Sequence, residues 1–394
     1  MEVEWHGLRL KPSPAVLELD SADGRSTPAW KGPLELSAWD CFFVVLAIVS
    51  IGLDILSDCY VAYAHALNER ITMMWLSIVF IVVPAWVSTL VSLLMILQDR
   101  QNNVKMQWTW RWITLFHIFP LVLVPRYVNS LSFGLKSQQK SRPKLARQVL
   151  YYRMLWEDYD AAYLRLIEAF LEACPQLLVQ SVFIFRSYSE LRDESSYFFL
   201  HIAIPLALSL FSLAHAVVCY KRSLRISQNE KRMTCSGSIT LLLSQICLIS
   251  SRVIVLTLFI IEVPVPIILG ALIARIFFNM TWLYMFLEFF HVDSKVESFV
   301  LRGVLSVMYL FTYVDFSHGN SGKRHLVHHI ATVIDCGALL TLYYIYAYHV
   351  NVYCIVAAIC LYPLGLMLLV FYYCKCHPTS MSDGVHVVHV EQSL

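Results

Sequence analysis

Residues Asp40–Tyr63 read DCFFVVLAIVSIGLDILSDCYVAY. About 20 mostly apolar residues is the length an α-helix needs to cross the hydrocarbon core of a bilayer. Within the stretch Ser50, Asp54 and Asp58 recur every fourth residue, so the two carboxylates share one helical face. A charge at the bilayer centre costs about 2.5–3.5 kcal/mol on insertion scales. Two of like sign side by side therefore predict a cation or a proton next to them.

Working outward, the chain repeats this pattern. Of its 394 residues 58% are apolar and only 15% charged, against roughly 25% charged and 45–50% apolar in globular domains. The apolar surplus gathers into blocks near 40–63, 73–97, 157–185, 197–218, 237–261, 267–290, 328–347 and 353–374. The sequence thus predicts an all-α polytopic membrane protein with eight crossings. Two further apolar stretches, near 112–133 and 299–317, are interrupted by Pro120, Pro125 and Arg126 and by the polar run Ser317 to Lys323. They read as incomplete, re-entrant segments, since irregular backbone at membrane depth must be covered by protein or water.

Basic residues set the orientation. They crowd into the loops Lys136 to Arg153, Lys221 to Arg232 and Lys323–Arg324, and are absent from the turns around Pro264 and Asn351. Placing the basic loops inside puts both termini in the cytoplasm, which requires an even number of full crossings. The order span, span, broken segment, span, span occurs twice. It predicts two repeats, 39–220 and 221–376, between a cytoplasmic N-terminal tail of residues 1–38 and a C-terminal tail of residues 377–394.

Several functions are disfavoured. Net charge is +2, so the chain is no polycation for nucleic acid. GxSxG, HExxH, Walker and GxGxxG patterns are missing, which points away from an enzyme and from a cofactor. Eleven cysteines form no CxxC pair and predict no disulfide framework. Cys374 and Cys376 beside a membrane exit suit palmitoylation better than metal binding. His325, His328 and His329 border a span and read as interfacial. The sequon at Asn279 falls mid-span, beyond a glycosyltransferase.

The third span carries Arg165, Glu168, Glu172 and Gln176 at helical spacing, with Gln180 extending the stripe. Arg165 can reach Glu168 locally. Glu172 then looks to Arg252 in the fifth span or Arg275 in the sixth, and the polar groups are expected to share one interior. Ionisable residues inside a membrane are functional candidates by default. A pathway for lipid headgroups, a proton-coupled transporter of a small solute and a non-catalytic membrane scaffold all remain open on this reading.

Leu53-Asp54 followed by Asp58, the run Leu164 to Gln176 with its Phe-Leu-Glu-Ala-Cys-Pro-Gln core, the Tyr220 to Arg225 segment and the closing Tyr372-Tyr373 with His377-Pro378 together resemble the XK-related family, over roughly residues 40–378. The resemblance implies a plasma-membrane phospholipid scramblase that moves lipid both ways without ATP or bond chemistry and exposes phosphatidylserine in apoptosis. It implies an intramembrane polar file of Asp54, Asp58, Arg165, Glu168, Glu172 and Arg252. Its partners would be membrane phospholipids including phosphatidylserine and an activating caspase, with a single-span accessory glycoprotein left open. Asp20-Ser21-Ala22-Asp23-Gly24 matches the DxxD-plus-small-residue pattern that caspases cut, on a tail with Pro12, Pro14 and Pro28. Asp383-Gly384 is a second, poorer candidate, lacking the upstream acid.

Overall fold

A computed structural model describes residues 36–101, 122–186, 196–229, 233–286, 295–314 and 322–376. The cleavage candidate Asp20, Asp23 and Gly24, the tail from 377 onward and Pro120 lie outside the described residues. Those that are described form ten helices and no strand. In chain order they are α1 Ala38–Leu67, α2 Ile71–Gln101, α3 Leu123–Ser137, α4 Lys144–Arg186, α5 Ser196–Asn229, α6 Cys235–Glu262, α7 Val265–Phe286, α8 Lys295–Met308, α9 Gly322–Tyr346 and α10 Val352–Lys375.

Eight of the ten, all but α3 and α8, are long and apolar enough to cross a membrane. At 1.5 Å per residue the 15 residues of α3 and the 14 of α8 rise only about 22 Å, short of the ~30 Å hydrocarbon core. Three of the helix starts are fixed by side chains. Ser37 and Asp40 form a reciprocal capping box on α1, Thr234 Oγ1 accepts from Gly237 N at 3.1 Å, and Asn351 Oδ1 accepts from Cys354 N at 3.1 Å. Pro84, Pro175, Pro205 and Pro363 sit inside helices, as membrane helices tolerate.

The largest departure from the expected spans is α4. It begins at Lys144 rather than near residue 157 and runs for 43 residues. Trp156-Glu157-Asp158-Tyr159-Asp160 lowers the hydropathy without ending the helix, because its acids are paired. Arg126 of α3 donates to Asp160 Oδ2 at 3.3 Å, and Arg222 of α5 reaches Asp158 Oδ2 at 3.2 Å. Likewise α5 continues past residue 218 to Asn229, and Lys221 and Arg222, expected in a cytoplasmic loop, are buried.

Packing centres on α4, α5 and α6, each more than half buried along its span. α4 lies against α2, α3, α5 and α6, while α9 and α10 rest chiefly on α6. The α6–α10 seam is close because small residues face each other a heptad apart. Ser244 Oγ donates to the Gly365 carbonyl and Ser251 Oγ to the Ala358 carbonyl, both at 2.8 Å. Outer faces of α7, α9 and α10 present Phe277, Ile334 and Val356 uncovered, the surface a lipid environment requires.

Side-chain contacts also show which ends coincide. Asp40 at the start of α1 meets Arg222 of α5 at 3.0 Å, and Arg225, one turn on, lies 5.4 Å from the ring centroid of Tyr372 near the end of α10. Both ends of the described chain are therefore at the same end of the bundle. His65, Ser77 and Gln180 gather at the other.

Candidate intramembrane polar site

Asp54 is the centre of the site. It projects from α1 and is 1% exposed. Arg165 of α4 donates from Nη2 to Asp54 Oδ2 at 2.7 Å, and Ser212 of α5 donates to the same oxygen at 2.7 Å. Arg165 Nη2 also hydrogen-bonds Ser212 Oγ. Glu168 stands 3.7 Å from Arg165 Nη1, an ion pair too long for a hydrogen bond. One turn along α1, Asp58 faces Glu172 of α4 and Ser209 of α5.

Every member is buried: Asp58, Arg165, Glu168, Glu172 and Gln176 are all at or below 4% exposure. Four carboxylates thus share one guanidinium. Asp58 Oδ2, Asp54 Oδ1 and Gln176 Nε2 are buried with no hydrogen-bond partner among the described residues. Unmatched polar atoms of this kind are expensive in an apolar surround. They require a proton, a cation or water when the site is in use.

The stripe continues away from the cluster. Gln180 accepts from His65 Nε2 at 3.2 Å and donates to Ser77 Oγ at 3.5 Å, so α1, α2 and α4 are tied near the His65 end. Toward the other end His215 of α5 lies 3.5 Å from Ser50 Oγ, and Arg222 binds Asp40 and Asp158. A small hollow opens beside that last pair, lined by Leu36, Asp40, Tyr151, Met154, Asp158 and Arg222 among others.

Arg252 and Arg275 do not join this cluster. Arg252 pairs with Asp335 of α9 and donates Nε–H to the Leu310 carbonyl at 2.7 Å. Arg275 donates to Thr332 Oγ1 at 3.1 Å. The partner expected for Glu172 is instead supplied within the first half, by Asp58 and the nearby Arg165. Periodicity gave the face of each helix but not its neighbour, and the one interior expected from the sequence is two.

The histidines also differ from their interfacial reading. His325 and His328 are buried at 8% and 7% exposure. His325 hydrogen-bonds Tyr373 and His329 hydrogen-bonds Tyr362, both on α10. Asn279 is buried and donates to the Ser306 carbonyl at 2.9 Å. All eleven cysteines are free; Cys374 is exposed and Cys376 half-buried.

Sequence reasoning missed the α5 contribution. Ser209, Ser212, His215, Cys219 and Ser223 form a polar stripe at helical spacing whose signal was present, but hydroxyls in an apolar helix attract less notice than charges. Arg222 was expected in a cytoplasmic loop, and Asp158, just inside the start of the 157–185 block, was not singled out.

A bundle of helices long and apolar enough to cross a bilayer, enclosing a carboxylate-rich ionic cluster, defines a multi-pass membrane protein with a polar interior. The XK-related protein family profile matches residues 42–378, and the chain belongs to that family. It is 24% identical over 379 residues to Cell death abnormality protein 8 of Caenorhabditis briggsae, covering 88% of this chain and 80% of that protein. It is 27% identical over 271 residues to XK-related protein 8 of Tetraodon nigroviridis, covering 67% of this chain and 63% of that relative's length.

Proposed function

We propose that the chain is a phospholipid scramblase of the plasma membrane, active in apoptosis and acting without ATP or bond chemistry. The supporting observation is the cluster of Asp54, Asp58, Arg165, Glu168 and Glu172, buried where α1, α4 and α5 meet midway along their spans. A zwitterionic headgroup brings both signs of charge. Its amine can take the place of the cation that four carboxylates lack, while its phosphate finds Arg165 and the two serines. Acyl tails stay outside, along the apolar faces, and the polar seam lowers the barrier to crossing without supplying direction.

Similarity to a protein named for cell-death abnormality supports the apoptotic setting. Both termini are taken as cytoplasmic, from the placement of basic residues and the shared end of the bundle. Caspase cleavage after Asp23 is then the trigger, shifting a closed population to an open one by removing a segment that binds only the closed state. Cys374, exposed at the end of α10, is the better-placed palmitoylation site.

The test is reconstitution in liposomes with fluorescent lipid followed across both leaflets. Scrambling by the cleaved chain supports the reading, and its absence in both full-length and cleaved protein defeats it. The surplus of carboxylates favours one second reading, a proton-coupled solute transporter; uptake driven by a pH gradient in the same vesicles distinguishes it. A scaffold is separated by Glu172→Gln, which leaves partner binding intact in a scaffold but changes the rate of a translocator.

A further inference from the structure

Arg275 lies at the middle of α7, the eleventh of the 22 residues Val265–Phe286. It is 8% exposed. One Nη2 hydrogen bond goes to Thr332 Oγ1 at 3.1 Å, and Thr332 Oγ1 in turn lies 3.3 Å from His328 Nε2. The guanidinium carbon stands 5.5 Å from the Phe278 ring centroid. Its Nε–H is buried with no acceptor, and no carboxylate pairs with it among the described residues.

The nearest acid is already engaged. Asp335 binds Arg252, whose remaining donors go to the Leu310 carbonyl and, at 3.2 Å, to Cys336 Sγ. Two guanidiniums therefore face one carboxylate at mid-span, where an unpaired charge is costly and marks a site of function. This is the reverse of the α1–α4–α5 cluster, which has an excess of acid.

Access is from the side. Only 17% of the α7 span and 22% of the α9 span is buried, and Phe278, whose ring lies against the guanidinium, is itself 46% exposed and adjoins the uncovered Phe277. An acyl chain can lie along these side chains while an anion meets the arginine. A planar guanidinium with a free edge is matched to phosphate, which it can hold through two parallel hydrogen bonds.

We propose that Arg275, between α6, α7 and α9, is an oxyanion site that takes the phosphate of a membrane phospholipid. The site goes beyond the scrambling reading, because it would hold lipid whether or not lipid crosses. Free phosphate shares the chemistry, and the headgroup is favoured as the source because the approach is apolar.

The full chain, stripped of phospholipid in maltoside detergent, is unfolded thermally in the presence of short-chain phosphatidic acid, short-chain diacylglycerol or sodium phosphate. A ligand that binds the folded state raises the unfolding temperature. Phosphatidic acid is expected to stabilise saturably and diacylglycerol, which lacks the phosphate, to do nothing. Arg275→Gln should weaken the response at least about 10-fold, by loss of both charge and fork. Arg275→Lys keeps the charge but not the fork, should show an intermediate loss and serves if the glutamine variant does not fold. Sodium phosphate as effective as the lipid overturns the lipid source and leaves an aqueous oxyanion site. No saturable shift in the wild type, or an unchanged response in both variants, overturns the site itself. Scrambling is not read in this experiment, so neither result decides the proposed function.

Discussion

Arg165 and Asp54 are two halves of one energetic unit. Breaking a buried ion pair by removing one partner costs about 3–5 kcal/mol, because the other charge stays behind uncompensated, whereas replacing both with apolar groups is often neutral or stabilising. Arg165→Met alone should therefore lower the thermal unfolding temperature sharply, leaving four acids without their guanidinium. The double variant Asp54→Leu with Arg165→Met should recover much of that loss while lipid transfer stays abolished. If the double variant unfolds no later than the single one, the pair is not the structural unit described. At this scale the sequence was legible wherever a formal charge broke an apolar run, as at Asp54, Asp58, Arg165, Glu168 and Glu172. It was opaque where partners came from another helix, because a stripe of serines in α5 carries no obligation to be buried beside an acid.

Among the elements, the α6–α10 seam depends on one glycine. A Cβ on Gly365 would stand 2.8 Å from Leu248 Cγ and 3.1 Å from the Leu248 backbone nitrogen, so the helices must separate. Gly365→Val should destabilise by about 1–3 kcal/mol, the usual cost of overpacking, and reduce the yield of monodisperse protein on size exclusion. Gly270→Ala on α7 meets nothing within 4 Å and should leave yield unchanged. The existence of the eight long apolar helices followed directly from block length, since the hydrocarbon thickness sets a physical ruler. Their ends did not. Charged residues at Trp156–Asp160 and at Lys221–Arg222 look like interfacial punctuation in sequence, but Arg126 pairs with Asp160 and Arg222 with Asp158 inside the bundle.

For the whole molecule, eight candidate spans and the meeting of Asp40, Arg222, Arg225 and Tyr372 place both described ends together. Epitope tags at the two termini should accordingly be labelled only after cells are permeabilised; labelling of either one on intact cells contradicts the proposed orientation. Apoptotic cells expressing Asp23→Ala should keep phosphatidylserine internal while wild-type cells expose it, read by annexin staining after caspase activation. Equal exposure in both would remove cleavage after Asp23 as the trigger. The even number of crossings, which returns both described ends to one side of the bundle, was readable because each apolar block meets the same length requirement. The division of the polar groups into an acid-rich and a base-rich centre was not, because it depends on which helices become neighbours.

That division follows the way the second half is assembled. With α9 and α10 resting mainly on α6, this half resembles a fan spread from a single rib, and the rib is also what leans on α4 and α5. A guest wedged between the outer blades can push them apart without prying open the tightly sealed carboxylates on the far side. Occupancy of the two centres can thus follow separate clocks.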